Sequence, residues 1–193
     1  MAGPRTNTRR VRLGPARLAE VSTVNTRLER HFGRGAVHEL KIPSRAAPTG
    51  PLWCGAVHLD PSHENVLALI DRAIVGPVVM LNLLRFKVVA DYSEHPGLAP
   101  ASPISGRAAY DRYMAHTMPF LKASGGEVVL LGAGGNFFVG PDDERWDLAL
   151  LVRQQSIESF FSFATDGDYL AGIGHRSAAV EDTRLLPLVE LPG

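Results

Sequence analysis

The chain has 193 residues, 45% of them hydrophobic, which suffices for one sizeable core with an extension. Its single cysteine, Cys54, excludes an internal disulfide and a cysteine-based zinc site, so a reducing cytoplasm is the expected location. The net charge is zero and no apolar stretch approaches the roughly 18 residues of a membrane span, so we expect no membrane partner.

Residues 1–52 differ in composition from the rest of the chain. Residues 1–50 contain ten Lys and Arg against three Asp and Glu, a balance of +7, which leaves −7 for the remainder. Such a segment can be a nucleic-acid-binding arm or a targeting sequence, but this one lacks an apolar core and has few aromatics. We predict a poorly ordered extension, disfavour nucleic-acid binding, and expect a single folded domain over residues 53–193.

The predicted domain begins with a short amphipathic helix at about residues 61–74, with Asp60 as N-cap and Pro61 at the first helical position. A strand in which nearly every residue is apolar follows from Val78 to Leu84. The next segment, 87–105, is rich in Pro, Ala and Ser and longer than most connections. We expect this insertion to fold over a pocket mouth as a lid.

The second half of the domain alternates strands and helices. An apolar stripe predicts a helix over residues 109–124 that ends at Gly125-Gly126, and Ser156 is the predicted N-cap of another helix. A further helical piece runs from Tyr169 towards Glu181. The predicted strands are Glu127 to Leu131, Asn136 to Val139, Trp146 to Val152, and a last one near Leu185 to Leu191.

This order predicts an α+β, ferredoxin-like βαββαβ fold, an antiparallel sheet with helices on one face. The other face is left open. Because an exposed apolar face must be covered, we expect two sheets to pair face to face in a symmetric homodimer, with a pocket between each sheet and its partner or helices.

Several motifs carry a family resemblance: PVVMLNLLRF, Tyr110-x-x-Tyr113, Gly125-Gly126, Trp146-Asp147, SIESFFSFA, and Tyr169 followed by His175-Arg176. In order and spacing they resemble the domain of unknown function 1330 family over roughly residues 76–191. The resemblance implies a dimeric α+β barrel. That superfamily includes cofactor-free monooxygenases, haem enzymes, muconolactone isomerases and sensing domains, so the fold implies a pocket without naming its chemistry.

Four residues are candidates for catalysis. Asn82 places an amide inside an apolar strand, where it can orient a carbonyl or bond to a neighbouring loop. Tyr113 lies on the buried stripe of its helix and can donate a proton or simply pack. His116 and His175 are the candidate bases near neutral pH, although a histidine at a helix edge is often only solvated.

Six further residues are candidates for binding substrate. A cation at a strand end or helix end can hold an anion, form an ion pair, or complement a helix C-terminus. Aromatic side chains near the same elements can line the pocket. The six residues are Arg85, Tyr110, Trp146, Arg153, Tyr169 and Arg176.

Cofactor chemistry has little support in the sequence. No H-E-x-x-H spacing occurs, and the glycines at 132–135 do not complete a dinucleotide fingerprint. We predict no metal and no cofactor, although one histidine suffices for haem and His175 is then the candidate. The function expected is a small-molecule pocket for an apolar or aromatic metabolite, either in a cofactor-independent, monooxygenase- or isomerase-like enzyme or in a non-catalytic ligand-binding or structural module.

Overall fold

The computed structural model describes residues 57–191 together with Thr26, so most of the basic extension and Cys54 lie outside the described residues. Four strands and five helices follow one another between residues 63 and 188. In chain order they are α1 His63–Asp71, β1 Val78–Phe86, α2 Gly106–Ala123, β2 Glu127–Ala133, β3 Leu148–Gln154, α3 Ile157–Ala164, α4 Gly167–Ala171, α5 Ile173–Ala179 and β4 Val180–Leu188.

The strands form one antiparallel sheet in the order β2-β3-β1-β4. This order, with helices between the strands, confirms the predicted ferredoxin-like α+β fold. Alternate residues of β1 face the helices, among them the buried Val78, Met80 and Leu84. The residues between them face away from the helices, on the side that we call the open face.

A row of four leucines crosses the open face, one from each strand. Leu81 pairs with Leu151 on one side and with Leu186 on the other, and Leu151 pairs with Leu130. Residues directly opposite in a ladder share a face, so the four side chains form one apolar band. Leu130 and Leu186 are 51% and 52% exposed, so both ends of this leucine row are open to solvent.

Three helix starts are fixed by serine side chains. Ser62, rather than the predicted Asp60, caps α1 by accepting from the backbone N–H of Asn65, so the helix begins at His63. It ends at Asp71, before the predicted limit of about residue 74. Ser156 forms a capping box with Ser159 at the start of α3, which confirms the predicted cap. Ser105 caps α2 through Ala108.

The predicted strand from Asn136 to Val139 is wrong. Asn136 makes one isolated bridge with Arg145, and Phe138 and Val139 are exposed. A short apolar run alone does not make a strand where no neighbouring strand is available for pairing, and Pro141 and two aspartates follow soon after it. The hairpin therefore joins β2 directly to β3, which begins at Leu148 instead of Trp146.

Three other element boundaries can be compared with the predictions made from the sequence. The left-handed backbone of Gly125, with φ of 76°, ends α2 just after Ser124, as predicted. The segment predicted as one helix from Tyr169 towards Glu181 splits at Gly172 into α4 and α5. The last strand also begins earlier, at Val180, where the chain leaves α5 directly into the sheet.

Most of the buried apolar side chains fall into two clusters on the helix face, whereas Val79, Leu121, Trp146 and Leu150 are buried but belong to neither. The first lies at one end of the sheet and includes Leu84, Tyr110 and Val180. The second lies at the other end, under α1 and α3, and includes Met80 and Phe161. The core is therefore divided across the middle of the sheet.

Residues 87–105, which we call the strap, are held at both ends. The Gly106 N–H donates to the Lys87 carbonyl at 3.0 Å, and the Ala90 N–H donates to the Ile104 carbonyl at 2.9 Å. The Asp91 N–H donates to Ala178 of α5 at 2.9 Å. The strap is thus packed on α5, with a single 3-10 turn at Pro96–Leu98.

Replacing Gly106 by alanine is expected to destabilise the fold by about 3 kcal/mol, because overpacking against rigid groups costs roughly that much. A Cβ at this position would lie 2.6 Å from the Ala179 carbonyl oxygen and 2.9 Å from the Lys87 nitrogen, both backbone atoms that cannot turn aside. Urea denaturation followed by circular dichroism measures the loss.

Gly167→Ala is the matched control for this substitution. Gly167 is likewise the first residue of its helix, yet nothing lies within 4 Å of a Cβ built there. We expect its free energy of unfolding to stay within about 1 kcal/mol of wild type. Equal effects of the two substitutions would show that helix propensity, and not the close backbone approach at Gly106, sets the cost.

Candidate functional site

Asn82 lies on the helix face of β1, between the two core clusters. Its neighbours on that face are Met80 of the second cluster and Leu84 of the first. The side-chain NH₂ donates to the Met80 carbonyl at 3.0 Å and approaches the Leu150 carbonyl at 3.5 Å. Within the part of the chain that the structure describes, Oδ1 receives no hydrogen bond, so this acceptor is available to a ligand.

The α2 helix contributes an unsatisfied hydroxyl to the same region. Its inward side carries Tyr110, which packs on Phe86 with ring centroids 5.2 Å apart, and further along it carries Thr117. The Thr117 side chain is buried, and Oγ1 has no hydrogen-bond partner among the described residues. Thr117 lies seven residues, or about 10 Å of helix, beyond Tyr110, which places it over the middle of the sheet.

Three buried tyrosines join α2 to α4. Tyr113 and Tyr169 share a hydrogen bond of 3.0 Å between their hydroxyls, and the rings of Tyr110 and Tyr113 lie 5.4 Å apart. Burial raises the pKa of both Tyr110 and Tyr169 well above the usual phenol range. These two phenols therefore stay protonated at neutral pH, and can act as hydrogen-bond donors rather than as bases.

His116 holds the end of α4. Its Nε2 lies 3.0 Å from the Asp168 carbonyl oxygen and 3.1 Å from that of Tyr169. Because both partners are acceptors, Nε2 must carry the proton and donate. The ring also fills the space beside Gly172, where a Cβ could not fit. His116 thus has a positioning contact with the backbone between α4 and α5.

His175 forms a pair with a residue of the strap. The Tyr92 hydroxyl and His175 Nδ1 are 2.8 Å apart, and the two rings meet edge to face. Burial lowers the pKa of His175, and the charges of Arg112 and His116 lower it further. The imidazole is therefore neutral at pH 7 and can accept or release a proton. Sequence reasoning placed Tyr92 only in a lid and missed this contact.

Arg176 does not act together with His175, although the two are adjacent in sequence. Its Nη1 donates to the Leu59 carbonyl at 3.0 Å and lies 3.9 Å from the Asp60 carboxylate. Successive helical side chains diverge by about 100°, which directs Arg176 towards residues 57–60 and His175 towards the strap. His175 and Arg176 therefore do not converge on one ligand.

The remaining candidates lie away from the helix face. Arg85 forms ion pairs with Glu181 at 3.1 Å and Asp182 at 3.6 Å, whereas Asp147 pairs with Arg145 at 3.0 Å. Trp146 is buried beside Arg85, whose guanidinium lies 6.0 Å from the indole centroid.

Arg153 occupies the far end of the open face. It forms ion pairs with Glu127 at 2.8 Å and Glu190 at 2.6 Å. The structure thus gathers five of the ten candidates around α2, α4 and α5, and puts Asn82 on the sheet beneath the helices. The five are Tyr110, Tyr113, His116, Tyr169 and His175.

The described residues form neither a metal-binding cluster nor a membrane-spanning helix. Within residues 57–191 and Thr26, no three His, Cys, Asp or Glu side chains gather closely enough to hold a metal ion. Over the same residues, no helix has both the length and the apolar character needed to cross a bilayer.

Comparison with known proteins identifies relatives of this arrangement. The methylated form of the protein RPA0582 is 34% identical, with a TM-score of 0.62 over 70% of this chain and 96% of its own. A second crystal structure of RPA0582, described as a protein of unknown function from Rhodopseudomonas palustris, is 33% identical. It has a TM-score of 0.60 over 71% of this chain and 99% of its own.

The remaining comparisons give no further information about this chain. A Bacteroides fragilis protein, described as dimeric, of unknown function and with a ferredoxin-like fold, has 10% identity and a TM-score of 0.37 over 58% of this chain and 94% of its own. That similarity supports no argument about this chain. No protein-family model matches the chain, and no curated protein matches it. At one third identity over nearly the whole of the relative, the chain belongs to the family of the Rhodopseudomonas palustris protein RPA0582.

Proposed function

We propose that this protein binds a small apolar or aromatic molecule between its sheet and its helices. One observation supports this most: the core is divided into two clusters, and a polar residue, Asn82, lies at the division. A continuous core would place an apolar side chain there, since an amide costs free energy when it is buried without partners. A ligand seated at the division joins the two clusters.

The chemistry of this region suits a mostly apolar ligand with one polar group. Leu84 and Leu150 lie beside Asn82 on the helix face and are both buried. Asn82 Oδ1 can accept a hydrogen bond from the ligand, and Thr117 Oγ1 can donate or accept one. Small-molecule sites commonly combine apolar walls with a few such polar groups.

We further propose that the protein is a homodimer in which the leucine rows of two sheets face each other. A half-exposed apolar band across all four strands is unfavourable in water, and a second copy buries it with matching chemistry. We also propose that the chain belongs to the domain of unknown function 1330 family and that the protein is located in the cytoplasm.

Catalysis is the second candidate function. The hydrogen bond between Tyr92 and His175 favours it, because a neutral imidazole beside a phenol can move a proton without a cofactor. Against this, the hydroxyls of Tyr113 and Tyr169 satisfy each other, and His116 is engaged with backbone carbonyls. These contacts favour the non-catalytic, ligand-binding alternative over a monooxygenase- or isomerase-like enzyme.

Native mass spectrometry of the protein purified without added ligand tests the proposal. We expect a dimer that carries additional mass corresponding to a small organic molecule. Denaturing the same sample releases that molecule for identification, including a haem if one is present. A dimer without additional mass, which also fails to take up any member of a panel of aromatic metabolites, would contradict the binding proposal.

Substitution of Asn82 by leucine is expected to abolish retention of the ligand while the protein stays folded. The leucine would join the two core clusters, so the free energy of unfolding should rise or stay within about 1 kcal/mol of wild type. Mass spectrometry and thermal denaturation measure the two effects. Asn65→Leu, the same change on the exposed side of α1, is the control and should keep the ligand.

A further inference from the structure

The side-chain amide of Asn82 is held in one orientation. Its NH₂ group lies 3.0 Å from the Met80 carbonyl oxygen and 3.5 Å from the Leu150 carbonyl oxygen. A carbonyl oxygen can only accept a hydrogen bond, so the NH₂ group, and not Oδ1, must face these two atoms. Both donor positions of the amide are therefore engaged, and the atom left to face a ligand is the acceptor Oδ1.

The helix face of the sheet is open on the β4 side of Asn82. Asn82 lies between Leu150 of β3 and Leu185 of β4, and residues directly opposite in a ladder share a face. Leu150 is 5% exposed and Leu185 is 46% exposed, so at this level the cover of the helices ends between β3 and β4. Asn82 itself is half-buried, although Met80 and Leu84, its neighbours along β1 on this face, are buried. A small molecule can therefore reach Asn82 from the β4 side.

A buried hydroxyl of α2 lies over the central part of β1. Contacts place both ends of this helix: Gly106 donates to the residue after β1 at 3.0 Å, and Leu121 meets the Gln154 side chain at Gly126. Because Gln154 pairs with the first residue of β1, α2 spans the whole length of that strand. Thr117, one turn before Leu121, lies between these ends. It is 5% exposed, and its Oγ1 has no hydrogen-bond partner among the described residues.

The helix face carries no buried charge within the part of the chain that the structure describes. The one buried charged side chain among those residues is Asp182, which pairs with Arg85 across the ladder and therefore lies on the open face. An ion bound beside Asn82 would lose its hydration without a partner of opposite charge, which costs much more than burying a neutral polar group. The ligand group that reaches Oδ1 must therefore be neutral.

We propose that the ligand of this site is a neutral, mostly apolar compound with a hydroxyl group, as in a phenol, and that this hydroxyl donates to Asn82 Oδ1. This inference rests on the binding proposed above and adds the chemical class of the ligand. The oxygen of the same hydroxyl can accept from Thr117 Oγ1, so one group satisfies both residues. An ether or a ketone has no proton to donate, and Oδ1 would lose its water without a replacement.

A comparison of two isomers tests the proposal. para-Ethylphenol and para-methylanisole have the same molecular formula, but only the phenol has an O–H group to donate. In equilibrium dialysis against the full-length protein, the phenol should bind about tenfold or more tightly than the ether, because the ether leaves a buried acceptor unpaired. The phenol should also shift the NMR resonances of the Asn82 NH₂ group, which the Asn82→Leu variant identifies by their absence. The anion para-methylbenzoate should bind more weakly than the phenol.

Three variants locate the hydroxyl contact. Asn82→Ala removes Oδ1 without filling the site, so the preference for the phenol over the ether should fall to about twofold or less. Thr117→Val keeps the shape of the side chain and should weaken phenol binding by about threefold or more. Thr165→Val is the matched control: Thr165 is also 5% exposed, but its hydroxyl already donates to the Phe161 carbonyl at 2.8 Å, so phenol binding should be unchanged. Thermal denaturation shows whether each variant is folded.

The comparison of isomers uses the wild-type protein and stands even where a variant fails to fold. Equal binding of the phenol and the ether would overturn the proposed ligand class and leave the binding site itself in place. Tighter binding of para-methylbenzoate, or a retained molecule without a hydroxyl group, would overturn it in the same way. If none of the three probes binds, the ligand class is wrong. If the purified protein in addition carries no small molecule, the binding proposal fails with it.

Discussion

Replacement of Leu186 by glutamate is expected to convert the proposed dimer to a monomer. Leu186 is the β4 end of the leucine row and is 52% exposed in the single chain, so a charge there remains solvated in the monomer. In the face-to-face dimer the same charge is buried, once in each protomer, and each burial costs several kcal/mol. The dissociation constant should therefore rise by about a thousandfold or more.

Size-exclusion chromatography with light scattering at one fixed protein concentration measures this change. Leu170→Glu is the control, because it makes the same substitution at a 39% exposed leucine of α4, on the helix side of the sheet. That variant should remain a dimer. If both variants stay dimeric, the open face is not the interface, whereas a monomeric wild-type protein would exclude the dimer itself.

Replacement of Asp182 by alanine is expected to lower the free energy of unfolding by about 3 to 5 kcal/mol, the usual cost of breaking a buried ion pair. The carboxylate is 4% exposed and binds four groups from three parts of the chain. It accepts from the N–H of His58 at 2.8 Å, from the N–H of Thr183 at 3.0 Å, and from Arg184 Nη1 at 2.7 Å. It also lies 3.6 Å from Arg85.

The large cost follows from what the substitution leaves behind. The N–H of His58 would lose its acceptor, and Arg85 and Arg184 would each lose one of their two partners and keep Glu181 and the Thr183 carbonyl respectively. An unsatisfied donor away from water costs more than a lost bond at the surface. Residues 57–59 would also lose the hydrogen bond from the His58 N–H to Asp182 of β4. The hydrogen bond from the Thr183 N–H to the His58 carbonyl, at 2.9 Å, would remain. Limited proteolysis should then cleave this segment faster.

Glu181→Ala provides the comparison for Asp182. Glu181 pairs with the same Arg85 at 3.1 Å, but its side chain is 53% exposed. An exposed pair contributes little, so its loss should cost less than about 1 kcal/mol. Both variants are compared by urea denaturation at equal protein concentration. Similar losses for the two would show that Asp182 acts as an ordinary surface charge.

The sequence predicted those parts of the fold that depend on short-range chemistry. The N-cap at Ser156 and the helix end at Gly125 depend on local chemistry, and both predictions were confirmed. The apolar run of β1 was recognised as a central strand because its composition alone indicates burial. The strand from Asn136 to Val139 was wrong because a strand needs a neighbour, and local alternation does not show whether one is present.

The sequence predicted several of the residues that come together at the candidate site, but only part of their arrangement in space. Five candidates came together around α2, α4 and α5 because helical periodicity identified the inward side of α2. The same argument could not show that Arg176 turns away from His175, nor that Arg85, Trp146 and Arg153 lie towards the open face. Tyr92 contacts His175 across 83 positions, and such contacts have no local signature.

The closed ends of the strap have a consequence for how this family can diversify. Because Lys87 and Gly106 are joined by a hydrogen bond, the chain leaves and re-enters the domain at one point, and the segment between can be exchanged without moving β1 or α2. Exchange would nevertheless remove the phenol that holds His175. A chain with a shorter connection would keep the scaffold and lack this phenol, so the length of one loop would decide whether the imidazole of His175 has a hydrogen-bond partner at Nδ1.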